Sequence, residues 1–136
     1  MHKILAVAFI ATLAPPIAEA REIRRDAMPE AFRGTWAPGG DACKQGDASA
    51  IVLSAKNYVG PAGSCVIEYV TEIPGRPDPI YSARMRCSGS GAQARIKTVA
   101  NLIIRREGGG ISAGPTFENL VAHRRCDAET PTPKQQ

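Results

Sequence analysis

Aromatic side chains are scarce in this 136-residue chain, at 5% of its residues, and histidine occurs only at positions 2 and 123. The sequence has no Gly-x-Ser-x-Gly elbow for a serine nucleophile, and its carboxylates are scattered rather than paired. Its glycine-rich stretches lack the spacing of a phosphate-binding loop and are more typical of hairpin turns. We therefore expect no catalytic residue, no cofactor and no enzyme activity, with His123 an ordinary surface or half-buried strand residue.

Long apolar runs are also missing, apart from one at the start of the chain. A basic start at Met1–Lys3 precedes apolar residues 4–14, and Ala18–Ala20 offer small residues to a signal peptidase. The run is too short to span a bilayer. We expect cleavage before Arg21, a periplasmic or secreted protein, and no transmembrane anchor. The predicted organisation is a signal peptide at 1–20, a single β-barrel-like domain at 21–126 and a disordered tail at 127–136.

The cysteines also lack the close spacing of a structural metal site. The four cysteines lie far apart in the sequence, at positions 43, 65, 87 and 126, whereas structural zinc sites need closely spaced pairs. In an exported chain, four cysteines indicate two disulfides, and three connectivities are possible. No metal ligand is therefore predicted.

Sustained helical periodicity is missing from the mature chain, and short β-rich runs separated by glycine and proline take its place. A single helical turn is predicted over residues 28–32. The pattern predicts an all-β domain, a small antiparallel meander closed or nearly closed into a barrel of about eight strands. The predicted strand runs are 33–37, 50–54, 57–59, 64–73, 80–87, 93–106, 110–113 and 116–125.

The turn signal PGRPDP predicts a hairpin symmetric about Arg76. Opposed residues then share a face, because strand side chains alternate. The expected pairs are Cys65–Cys87, Ile67–Met85, Tyr69–Ala83 and Thr71–Tyr81. Directly opposed cysteines lie within bridging range, which favours one set of disulfides. The favoured set is Cys65–Cys87 with Cys43–Cys126, and the alternative is Cys43–Cys65 with Cys87–Cys126.

A second turn, SGSG, predicts another hairpin, centred between Gly89 and Ser90. Its expected pairs are Met85–Ala94, Ala83–Ile96 and Tyr81–Thr98, and the same face continues as Ala100, Leu102 and Ile104. Both hairpins thus place apolar residues on one face and polar residues on the other, which is typical of a sheet with one packed side. The bulky residues expected to fill the interior are Trp36, Ile67, Tyr69, Tyr81, Met85, Ile96, Leu102 and Ile104.

The tripeptide Gly34-Thr35-Trp36, early in the mature chain, resembles the Gly-x-Trp of lipocalins and related small barrels. That resemblance implies an eight-stranded up-and-down barrel in which Trp36 plugs one end. The chain also resembles the periplasmic proteinase inhibitors of bacteria, which are small lipocalin-like barrels. This second resemblance implies that an N-terminal arm, here Arg21–Arg25, inserts into a protease.

The net charge of +4 is mild, and the basic residues are not interleaved with aromatic ones, so no nucleic-acid partner is predicted. We expect a face for an anion or a partner protein on the outside, with Glu68 opposite Arg84 and Arg84 opposite Arg95 on the next strand. The basic residues of that face are Arg84, Arg86, Arg95, Lys97 and Arg105.

We expect a monomeric, non-catalytic exported binding module for an unknown protein or anionic partner, acting through loops such as Pro38–Asp47 and Pro74–Pro79. The alternative is an inhibitor of an exported protease or lysozyme. A carrier of a small ligand is a more distant alternative, because a filled interior leaves no room for one.

Overall fold

The protein is built almost entirely of short antiparallel strands. A computed structural model describes residues 11–16, 21–39, 43–44, 49–89 and 95–126. The strands are β1 (Ile23–Arg25), β2 (Gly34–Ala37), β3 (Ile51–Leu53), β4 (Asn57–Gly60), β5 (Gly63–Ile73), β6 (Ile80–Ser88), β7 (Lys97–Glu107), β8 (Gly110–Gly114) and β9 (Val121–Arg125). Short 3₁₀ turns cover Glu30–Phe32 and Phe117–Asn119.

The predicted strands are present, with three differences. β1 was not predicted, β7 begins at Lys97 rather than at residue 93, and the last predicted run opens with a 3₁₀ turn before β9. The predicted helical turn is the first 3₁₀ turn. Residues 1–10 and 17–20 of the predicted signal peptide, the predicted tail at 127–136, residues 90–94 of the second predicted hairpin and most of the Pro38–Asp47 loop lie outside the described residues.

The sheet closes on itself as an eight-stranded antiparallel barrel, which confirms the predicted fold class. Each strand from β2 to β9 pairs with the next, and β2 pairs with β9 through Trp36 opposite Arg125 and Ala37 opposite Arg124. β1 lies outside this ring, as an edge strand on the second half of β5.

Both predicted disulfides are confirmed. Cys65 is bonded to Cys87 across the β5–β6 ladder, and Cys43 is bonded to Cys126 at the end of β9. The alternative connectivity is wrong, because Cys65 and Cys87 are direct cross-strand partners.

The predicted register of the first hairpin is correct only as far as Ile67, which lies opposite Met85. A β-bulge follows, and beyond it Tyr69 lies opposite Arg84 and Thr71 opposite Ser82, so the two remaining predicted pairs are wrong. The extra residue exchanges the two faces of the strand. Val70 consequently points into the core and is 0% exposed, whereas Tyr69 lies outside.

In the second hairpin the predicted partners are wrong, although the predicted inner face of β7 is right. Met85 lies opposite Ala100 rather than Ala94, a displacement of six residues. The turn is longer than predicted, since the first contact beyond the ladder is a hydrogen bond from the Gly89 N–H to the Ile96 carbonyl (3.1 Å). A displacement by an even number of residues leaves each side chain of β7 on the same face of the sheet. Ala100, Leu102 and Ile104 therefore still face inward, but Ile96 is exposed before the strand begins.

One end of the barrel is closed by large side chains from β2 and from the segment before it. Met28, Phe32 and Trp36 are buried there, and the Trp36 indole N–H donates to the Phe32 carbonyl (2.8 Å). Arg125 lies over the Trp36 ring, 4.2 Å from its centroid, and its guanidinium donates to the carbonyls of Ala31 and Arg33. We call this group of residues the plug.

The plug also explains the glycine of the Gly-x-Trp tripeptide. Gly34 has φ +128°, a conformation that L side chains rarely adopt, and an added Cβ would lie 2.5 Å from Arg125 Nη1. Glycine is thus required both by the backbone and by the close approach of Arg125.

We predict that Gly34→Ala lowers the free energy of unfolding by about 1–3 kcal/mol, the usual cost of a strained backbone site. The matched control is Gly39→Ala, because nothing lies within 4 Å of a Cβ built there. Urea denaturation measures both variants. Equal stability of the two variants would show that the contact between Gly34 and Arg125 does not constrain the barrel.

Candidate functional site

The end of the barrel opposite the plug contains an apolar pocket of about 450 Å³. About half of the residues that line it are inward-facing strand residues, and its rim is formed by residues of the neighbouring loops, among them Pro38, Pro61 and Pro115. The strand residues are Ile51, Tyr58, Met85, Leu102, Ala113, Val121 and His123. We call it the mouth pocket.

The expectation that bulky side chains fill the interior holds at the plug and is wrong at the mouth. The largest plug residues, Phe32 and Trp36, occupy only the closed end. Tyr69 lies on the outer side of the bulge and Ile96 precedes β7, so neither contributes volume inside the barrel. The wall of the open end includes Ala113, whose small side chain leaves space.

His123 is buried in the wall of the mouth pocket, at 6% exposure, and is not the surface or half-buried residue that the sequence suggested. It lies opposite Ile111, whose side chain is part of the core, so the imidazole points inward. Its Nδ1 is 2.6 Å from the Val121 carbonyl oxygen. Because a carbonyl can only accept, Nδ1 carries the proton of this bond.

Tyr58 supplies a second polar group to the pocket wall. Its ring is 3% exposed, and burial raises the pKa of its hydroxyl group. The Ala62 N–H is 3.4 Å from the hydroxyl oxygen, which holds the ring near the β4–β5 turn. The other inward-facing strand side chains of the pocket are apolar.

A second, polar pocket of about 500 Å³ lies at the plugged end. The Pro74–Pro79 loop contributes Arg76 and Asp78 to its wall, and β7 contributes Arg105, Arg106 and Glu107. Charges of both signs line it, and Arg106 is engaged with the Phe32 ring, at 5.8 Å from the centroid. This arrangement therefore favours neither an anionic nor a cationic ligand.

The five basic residues predicted to form an outer face are spread along the barrel. Glu68 accepts from both Arg84 (3.3 Å) and Arg86 (2.9 Å), so one carboxylate engages the two central arginines. Arg84 lies opposite Asn101, so Arg95 is not the neighbour that the sequence predicted. Lys97 and Arg105 lie at opposite ends of the β6–β7 ladder. Binding of an anion or a partner to this face stays a prediction.

The predicted inhibitory arm is docked on the barrel. Arg25 forms an ion pair with Glu72 (2.7 Å), and the Arg24 guanidinium lies 3.9 Å from the centroid of the Tyr69 ring. Arg24 and Arg25 are consecutive on β1, where it pairs with β5, so these two contacts lie on opposite faces of the sheet. In this structure the end of the arm is therefore an edge strand of the sheet.

No family model, no curated protein and no solved structure matches the chain. Within the described ranges, no helix has the length and apolarity to cross a membrane. The same part of the chain contains no group of three or more His, Cys, Asp or Glu residues placed to hold a metal ion. Function has to be argued from the geometry of the barrel.

Two carboxylates of β5 that are paired with arginines make the stability of the barrel depend on pH. Hydrogen bonding from Arg86 lowers the pKa of Glu68, and hydrogen bonding from Arg25 lowers that of Glu72, both from the ordinary value of 4.5. A carboxyl with a lowered pKa in the folded state binds fewer protons there than in the unfolded state. Its contribution is present above pH 4.5 and is lost as the pH falls through the folded-state pKa.

We predict that the free energy of unfolding falls as the pH drops below 4.5, and falls less steeply in the variant Glu68→Gln. The matched control is Glu118→Gln, since no ion pair to Glu118 is found among the described residues. Urea denaturation across this pH range, at low and high salt, provides the measurement, and salt should reduce the difference. Identical pH profiles for the two variants would contradict the prediction.

Proposed function

We propose that this protein is a non-catalytic exported binding barrel that holds one small, mainly apolar molecule in its mouth pocket. The observation that carries the proposal is the apolar pocket of about 450 Å³ at the open end. Ligand sites are typically concave and mostly apolar with a few polar groups, as this pocket is. The small-ligand role, a distant alternative on the sequence alone, thus becomes the best supported one.

Two further features support this proposal. The closed eight-stranded barrel with its tryptophan plug is consistent with a lipocalin-like architecture, in which one end is sealed and the other receives a ligand. The two disulfides are compatible with an oxidising compartment such as the periplasm.

The size of the pocket limits the ligand. Ligand pockets span roughly 300–1,000 Å³, and the mouth pocket is near the lower end of that range. It suits a compact molecule of one or two rings better than a long fatty acid, whose chain would need a deeper cavity. The plug occupies the space that such a chain would use.

The alternative is inhibition of an exported protease or lysozyme. The N-terminal arm that would insert into the enzyme is not free in this structure. Arg24 and Arg25 are held against β5, so insertion of the arm would first have to break these contacts. An inhibitor would then have to act through its loops, such as Pro74–Pro79. That role stays a prediction.

We predict that the neutral fluorescent probe N-phenyl-1-naphthylamine binds the purified protein with one-to-one stoichiometry. The variant Val121→Phe should weaken this binding about ten-fold, because Val121 points into the mouth and is 51% exposed, leaving room for the ring to enter the pocket. Fluorescence titration at constant protein concentration measures both affinities.

The matched control is Val99→Phe, the same substitution at a residue that is 53% exposed on the outer face of β7. It should bind the probe as the wild type does. The proposal fails if the wild type does not bind the probe saturably, or if both variants weaken binding equally.

A further inference from the structure

The mouth pocket has an asymmetric distribution of polar groups. Of its inward-facing strand residues, only Tyr58 and His123 carry polar side chains, and they lie on β4 and β9. The Tyr58 hydroxyl group is near the rim, within reach of the Ala62 N–H. His123 is deeper in the wall, opposite the core residue Ile111.

The hydrogen bond at Nδ1 of His123 determines what the rest of the ring can do. With Nδ1–H donating to the Val121 carbonyl, Nε2 of the neutral imidazole is a hydrogen-bond acceptor. Among the described residues, no side-chain hydrogen bond to Nε2 is found. Every fully buried side-chain nitrogen or oxygen there has a hydrogen-bond partner, so Nε2 is not fully buried. Nε2 is therefore accessible, and His123 forms part of the wall of the mouth pocket.

We infer that His123 selects the ligand, by accepting a hydrogen bond at Nε2 from a hydroxyl or N–H group on an otherwise apolar molecule. This inference rests on the proposed function and deepens it. It names the ligand class as compact ring compounds with one hydrogen-bond donor, such as phenols. The mainly apolar wall makes this acceptor selective, because a donor buried without a partner loses affinity.

The test compares two ligands of nearly equal size, 1-naphthol and 1-methylnaphthalene, which differ by a hydroxyl group in place of a methyl group. Each displaces N-phenyl-1-naphthylamine from the wild type and from His123→Leu at about pH 8, where histidine is ordinarily neutral. We expect the variant to lose about ten-fold in affinity for 1-naphthol and to bind 1-methylnaphthalene at least as well as before.

Two variants control for structure. Arg124→Gln changes the exposed neighbour of His123 on the same strand and should leave both affinities unchanged. His123→Gln keeps a side-chain acceptor and should retain part of the preference for 1-naphthol. Circular dichroism and thermal unfolding establish that each variant is folded.

A measurement on the wild type does not depend on any variant folding. His2 is the only other histidine of the chain, so the imidazole ¹⁵N signals of His123 can be followed by NMR. Addition of 1-naphthol should shift the Nε2 signal, and 1-methylnaphthalene should shift it much less.

The outcomes separate the two proposals. If neither the probe nor either ligand binds the wild type, the proposed function itself fails. If the probe and both ligands bind, but His123→Leu changes both affinities equally or the two ligands shift Nε2 alike, the pocket remains and the role of His123 is overturned.

Discussion

The barrel depends on the seam at which its first and last barrel strands meet. β2 and β9 share only two register pairs, Trp36 opposite Arg125 and Ala37 opposite Arg124, and the Cys126 N–H adds a bond to the Thr35 carbonyl (2.8 Å). So short a ladder would be weak alone, and three other interactions reinforce it. The Cys43–Cys126 disulfide joins the segment after β2 to the end of β9. The Arg125 guanidinium packs on Trp36 and binds two carbonyls beside the first 3₁₀ turn.

This seam also places the open space inside the barrel. Because Trp36 is at the plugged end of the seam, the large residues that precede it, Met28 and Phe32, seal that end. Phe32 meets Tyr81 edge to face at a centroid distance of 4.9 Å, which joins the plug to the start of β6. An eight-stranded barrel is only just wide enough for its own side chains, so space is left where those side chains are small. The wall at the mouth includes Ala113, whose side chain is small, and the pocket lies there.

Much of the fold could be predicted from the sequence because strand alternation has a period of two. The Cys65–Cys87 pairing follows from a turn symmetric about Arg76, and the inner face of β7 survives a six-residue error in its partners because six is even. A bulge is different, since one extra residue exchanges the faces. Its position after Ile67 depends on Val70 fitting the core and Tyr69 stacking under Arg24. Turn symmetry contains no information about either contact.

The candidate site was harder to predict, for a reason that lies in β9. The alternation of Val121, His123 and Arg125 allows either set of residues on this strand to face inward until a partner is known. One partner strand is β8, where Ile111 lies opposite His123, and the other is β2, where Trp36 comes from the opposite end of the chain and lies opposite Arg125. Once Arg125 is fixed at Trp36, His123, two residues earlier on the same face, has to point into the barrel. The contact that seals one end of the barrel thereby orients the imidazole at the other.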